Sequence, residues 1–149
     1  MAISSAICSS FKQELLQGKH SLDTSGNGGD TFKLAMFTSS ASLGAATTVY
    51  STANEISGSG YSAGGATLTN TGVGLNSTTA FTDFSDISFT SASFTANGCL
   101  IYNTTTAGGS GTTNAVCVIA FGGDKTVSSG TFTIQFPTND SSSAIIRLT

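Results

Sequence analysis

One stretch of this chain leaves little freedom in what it can fold into. Ala80 to Asn103 reads AFTDFSDISFTSASFTANGCLIYN. Phe81, Phe84, Ile87, Phe89 and Phe94 are separated by Ser, Thr and Asp, and the unbroken apolar run Cys99-Leu100-Ile101-Tyr102 follows. Apolar residues alternating with small polar ones mark half-buried β-strands. Asp83-Phe84-Ser85-Asp86 and Ala96-Asn97-Gly98 are the expected breaks between strands, because Asp, Asn and Gly supply turn geometry.

The other segments are read as strands packed on this centre. Thr31–Ser39 alternates, with Phe32, Leu34 and Met36 on one face and Ala35 and Phe37 on the other. Weak strands are expected at Ala66–Asn70 and Val73–Leu75. Asn114–Phe121 is apolar on both faces and is the strongest buried strand. Gly122–Lys125 is a predicted turn. Thr131–Phe136 alternates up to the single proline, Pro137, and Ala144–Leu148 is a last strand. Residues 104–113, TTTAGGSGTT, are a predicted exposed hairpin tip. Residues 40–65 form a long excursion with one short element expected at Thr48–Thr52, and loops of this size often carry function. One helix is predicted over residues 4–17, capped by Ser4 or Ser5 and stopped by Gly18. Its stripe is Ile7, Phe11 and Leu15, with Cys8 and Leu16 alongside. The lack of βα alternation speaks against a parallel sheet. The expectation is one domain over 1–149, an all-β antiparallel β-sandwich of jelly-roll or immunoglobulin-like type with one short N-terminal helix in segment 1–18.

Charge narrows the partners. Charged residues are 9% of the chain, against roughly 25% in an average domain. Ser, Thr, Asn and Gly must therefore cover the surface, which suits a protein partly buried in an assembly or exposed outside a cell, and equally a Thr/Ser-faced β protein that is soluble for ordinary reasons. The net charge of −3 and five scattered basic residues speak against nucleic acid and against an anionic membrane surface. No apolar run approaches the ~20 residues of a membrane span, and the first residues lack the basic start and apolar stretch of a secretory signal.

Candidate chemistry is sparse. The cysteines are Cys8, Cys99 and Cys117. An odd count argues against a disulfide framework, and Cys99 and Cys117 fit as small buried hydrophobes. His20 is the one histidine and is expected to be a solvated loop residue. There is no G-x-S-x-G elbow to go with it. Asp83 with Asp86, or Glu55, could supply paired carboxylates, but the chain has no Trp for stacking a sugar. Asp23 to Asp30 places oxygens at alternate positions like a calcium loop. Its twelfth position is Leu34, where a bidentate Glu is required. No catalytic residue, metal or cofactor is expected. The candidate contact residues are Phe11, Leu15 and Leu16 on the helix, and Tyr50, Glu55 and Tyr61 in the excursion. The plain alternative makes the helix residues core and the tyrosines caps on the sandwich edge.

Several segments carry a resemblance. They are Phe11–Leu16, Asp30–Ser39, Asn54-Glu55, Gly60-Tyr61 with Gly64-Gly65, Phe121–Lys125, and Ile134–Pro137 with Ala144–Arg147. Over nearly its whole length the chain resembles a family of small virion proteins of tailed bacteriophages. The shared motifs are turn and strand residues, so they specify shape rather than activity. The resemblance implies a capsid decoration or cement protein on the virion surface. It would stabilise the head by binding the major capsid protein and would self-associate as a trimer or dimer. The alternative is a tail or adaptor component, or an adhesion module binding host glycan. A hydrolase is the third reading, which a converging carboxylate pair would revive.

Overall fold

The structure is a computed structural model describing residues 2–24, 28–105 and 112–149. Along these residues the chain forms β1 (Ala6–Ile7), α1 (Ser9–Leu16), β2 (Phe32–Phe37), β3 (Ala66–Thr67), β4 (Asn70–Asn76), β5 (Thr79–Phe84), β6 (Ile87–Asn103), β7 (Asn114–Ile134) and β8 (Ile146–Leu148). A five-stranded sheet runs in the order β1-β7-β6-β2-β3 and a three-stranded sheet in the order β4-β5-β8. All of these pairings are antiparallel. The fold is the expected all-β sandwich.

β6 and β7 pair from Asn103↔Asn114 at one end to Ile87↔Ile134 at the other. The central stretch contains a slip in its alternation. Phe89 is at an odd position, whereas the buried Ala92, Phe94 and Ala96 are all at even ones. A straight strand would send Phe89 to the face opposite the other three. The register shifts between Phe89 and Ala92, with Ser91 at φ 49°, so a bulge at Thr90-Ser91 brings all four to the core. The facing strand is bulged in turn at Ser128-Ser129, where Ser129 has φ 49°.

A third irregularity replaces two expected breaks. Ala96-Asn97-Gly98 and Gly122–Lys125 were both expected to end strands. Instead both strands continue, with Ala96↔Lys125 and Gly98↔Ala120 in register. Phe121–Asp124 therefore bulges out opposite Asn97. Gly122 (φ 73°) and Gly123 (φ 135°) supply the left-handed geometry, and Asn97 Nδ2 donates to Asp124 Oδ1 at 2.7 Å across the bulge. Glycines that looked like a chain reversal here accommodate extra residues. Outside Cys117 and Val118, which pair with β1, no strand lies on the outer side of β7 among the described residues.

The core lies where β2, β6 and β7 meet. Phe32, Leu34 and Met36 of β2, Leu100 and Ile101 of β6, and Val116 and Val118 of β7 are all buried. Phe84 of β5 joins the sheets, with its ring 5.6 Å from Phe32 and 5.9 Å from Phe136. The connection Ser85-Asp86 is the break expected at Asp83–Asp86. Residues 106–111 of the expected hairpin tip lie outside the described residues.

The helix is shorter than residues 4–17. Ala6 and Ile7 are extended because their backbone pairs with Val118 and Cys117. Cys8 rather than Ser4 or Ser5 occupies the capping position, without a side-chain cap bond. The expected stop at Gly18 holds. Gly18 N donates to Leu15 O at 3.1 Å and Lys19 N to Glu14 O at 3.0 Å, a Schellman pair that needs Gly18 at φ 70°. Phe11 has no exposed surface and is core, so it offers no contact area to a partner. Leu15 packs partly buried against the core, and Leu16 is 92% exposed. Phe11→Ala is expected to lower stability by about 3–5 kcal/mol through the cavity it leaves. Leu16→Ser should stay within about 0.5 kcal/mol. Urea unfolding of the two variants checks both values.

Candidate functional site

The excursion from 40 to 65 contains no named strand, and the element expected at Thr48–Thr52 is a single bridge, Val49↔Asn114. Backbone bonds to its neighbours fix it: Thr38 N to Asn54 O at 2.9 Å, Ile56 N to Met36 O at 3.0 Å, and Ser93 N to Ser59 O at 3.0 Å. These bonds lay it along β2 and β6 and bring three of the candidate residues together. Glu55 Oε1 accepts from Tyr61 Oη at 2.6 Å and from Gly64 N at 2.7 Å, and Glu55 Oε2 accepts from Tyr50 Oη at 2.7 Å. Tyr61 Oη accepts in turn from Met36 N at 2.9 Å. Tyr102 donates to Gly64 O at 2.7 Å and stacks on Tyr50, with ring centroids 4.4 Å apart and planes 8° from parallel. Gly65 completes the turn at φ 75°, where a Cβ would lie 1.8 Å from Leu34 O.

This cluster is a staple rather than an open platform. Its carboxylate holds three donors, two tyrosine rings lie against each other, and Tyr102 is buried. An aromatic surface for stacking a sugar is therefore not formed by Tyr50, Tyr61 and Tyr102. Burial pushes the pKa of all three phenols above the ordinary value, and the Glu55 carboxylate adds to the shift.

A second polar cluster lies where α1 meets the paired ends of β6 and β7, at Asn103 and Asn114. His20, expected in solvent, is buried there. Its Nε2 lies 2.6 Å from Glu14 Oε2 and its Nδ1 2.9 Å from Asn103 Nδ2. Asp30 Oδ2 accepts from Asn103 Nδ2 at 2.7 Å and from Ser21 N at 2.9 Å, and Asn114 Nδ2 donates to Glu14 Oε1 at 2.9 Å. Phe11 covers the ring at 4.9 Å. Among the described residues no nucleophilic side chain is bonded to His20, and the arrangement fastens segments together.

The carboxylates considered as a pair have separate tasks. Asp83 is buried and accepts from Phe84 N at 2.8 Å and Ile145 N at 3.1 Å, while Asp86 accepts from Phe136 N at 2.8 Å. Burial pushes Asp83 above its ordinary value. In the stretch read against a calcium loop, Asp23 and Asp30 are turned to backbone and to Asn103, and Ser25 and Asn27 lie outside the described residues. Among the described residues no group of three His, Cys, Asp or Glu is placed to hold a metal ion.

Two apolar features remain. A groove of about 660 Å³ beside β7 is lined by Ile7, Ile119, Phe121, Phe132, Phe136 and Ile145, with Lys125 on its wall. On the small sheet, Leu75, Ala80 and Leu148 stand in one row across three strands. Val73 shares their face, two residues before Leu75. The neighbouring row buries Thr82 and Ile146, but Leu75 is 73%, Leu148 58% and Val73 56% exposed. The apolar face thus runs out past the core.

Comparisons with protein-family models, with curated proteins and with solved structures find no match for this chain.

Sequence reasoning missed the apolar row because Val73-Gly-Leu75 reads only as a weak strand. The signal available was Leu148, spaced like Ile146 at the end of the last strand. It missed His20 because a histidine between Lys19 and Ser21 carries no apolar period.

The three tyrosines of the chain all lie in the Glu55 cluster. Their pKa in the folded chain lies above the unfolded one. Their contribution to stability is therefore whole below about pH 10, the unfolded value, and is lost as pH rises above it. The urea midpoint is expected to fall steeply above about pH 10, less so in Tyr61→Phe, with phenolate absorbance reporting the titration. Burial also pushes the Cys8 thiol up to about 11 and Cys99 up to about 12, and holds Cys117 well above its ordinary value. All three are expected to resist a disulfide reagent at neutral pH and to react together on unfolding.

Proposed function

We propose that this chain is a structural protein of a bacteriophage virion, a decoration or cement protein that stabilises the head by binding the major capsid protein. The observation that carries this reading is the exposed apolar row Leu75 and Leu148 with Val73 beside it, on the three-stranded sheet. Exposed apolar surface of this kind marks a contact site. A cement protein needs such surface and no titratable machinery, because it acts by burying area across the junction of two neighbours. The low charge of the chain and its resemblance to phage virion proteins support the same reading. Symmetric self-association as a trimer or dimer repeats the row around an axis and multiplies the contact. In this reading the polar clusters keep loop and helix rigid, so that binding does not have to order them.

Electron cryo-microscopy of a particle carrying this chain tests the reading. Density is expected at regular capsid lattice positions, with the small sheet facing the shell. Leu75→Ser combined with Leu148→Ser should weaken decoration at least about tenfold, since each leucine buries a contact worth about 1.5–3 kcal/mol when fully covered. The urea midpoint of the free protein should hardly move. Density confined to the tail vertex, or full decoration by the double variant, overturns the assignment.

A further inference from the structure

His20 is held by groups whose hydrogen-bond directions are all determined, and together they specify where its proton sits. The side chain has no exposure to solvent. The amide of Asn103 is oriented by partners other than the ring. Its nitrogen lies 2.7 Å from the Asp30 carboxylate, which only accepts, and its oxygen takes the Thr105 N–H at 2.8 Å. The group facing His20 Nδ1 at 2.9 Å is therefore an NH2 donor, and Nδ1 is an acceptor. The ring proton is on Nε2 and is donated to Glu14 at 2.6 Å. Both hydrogens of the Asn103 amide are engaged, one by the ring and one by Asp30.

A second proton on the ring would place an N–H against this NH2 group, and neither can accept. Turning the amide over does not help. Its oxygen would then face the Asp30 carboxylate, and its NH2 would face the Thr105 N–H. The neutral ring and the Asn103 clamp on Asp30 are thus mutually dependent.

We propose that His20 is a proton-operated latch on this end of the sandwich. Uptake of one proton at Nδ1 expels the Asn103 amide, and the imidazolium bridges the Glu14 and Asp30 carboxylates in its place. Asp30 is within reach because one NH2 group now touches both it and the ring. The titratable groups around His20 are Glu14 on α1, Asp30 at the end of the loop before β2, and Cys8 at the start of α1, close enough to feel the Glu14 charge. β6 and β7 contribute the uncharged amides of Asn103 and Asn114. Asn103 ties the end of β6 to the Asp30 loop, and that tie is what acid releases. Histidine is the side chain suited to this task, because an unperturbed imidazole changes charge between about pH 5 and 8. The proposal stands apart from the virion reading.

Nuclear magnetic resonance of the intact chain, titrated downward from about pH 8, tests it. At the start, ring nitrogen shifts should show the proton on Nε2. As the ring titrates, the Asn103 side-chain amide signals and the Thr105 N–H should move with the same midpoint. Exchange of the Thr105 amide with solvent should quicken about tenfold on loss of its acceptor. In His20→Gln that pH step should vanish. If this variant fails to fold, the titration of the unaltered chain decides alone. The proposal is overturned by a proton on Nδ1 at the start, or by a ring that titrates while Asn103 and Thr105 stay still. It is equally overturned by an unchanged step in His20→Gln, or by a ring that stays neutral until the protein unfolds.

Discussion

Two long strands must stay hydrogen-bonded while their apolar side chains stay on one face, and the rest of the molecule depends on β6 and β7 meeting both demands. A ladder tolerates no phase slip without turning side chains to the wrong face. Here the slips are taken up by matched bulges, at Thr90-Ser91 on one strand and at Ser128-Ser129 on the other. Phe89, Ala92, Phe94 and Ala96 reach the core because of them. β1 and β2 then pair on the two sides of this ribbon, and the small sheet follows from its far end through Ser85-Asp86.

Around the ribbon, a carboxylate with several donors takes the place that regular structure holds elsewhere. Glu55 anchors an excursion without named strands, Asp30 closes the loop after the helix, and Asp83 secures the approach to β8. A partly buried carboxylate is unfavourable unless hydrogen-bonded, so each anchor specifies its loop as much as it stabilises it. The few acidic residues of the chain are concentrated on such internal tasks. The surface is left to Ser, Thr and Gly, with the apolar row of the small sheet standing out from it.

The strands were legible because alternation survives in the sequence wherever one face is buried, as at Phe32–Phe37 and Cys99–Tyr102. The helix stripe was legible at Phe11 and Leu15 but not at Ile7, whose backbone pairing with β7 overrides helix periodicity. Gly122-Gly123 was misread as a chain reversal because a bulge and a turn draw on the same left-handed glycine geometry. The meeting of Tyr50, Glu55 and Tyr61 left no periodic trace, since residues in an excursion are brought together by long-range backbone bonds. Naming them as candidates was possible from residue type, but their task of holding one another was not. For His20 nothing local distinguishes a solvated loop histidine from one enclosed by a helix and two strand ends.

The outer side of β7 carries a further consequence. A bare strand edge is ordinarily a template on which further copies add, and proteins usually discourage this with charge. This chain has little charge to use. The protrusion at Phe121–Asp124 and the bulge at Ser128-Ser129 interrupt that edge, as bulges do on edges that are protected from pairing. Irregular backbone thus offers this edge a guard that does not draw on charged side chains.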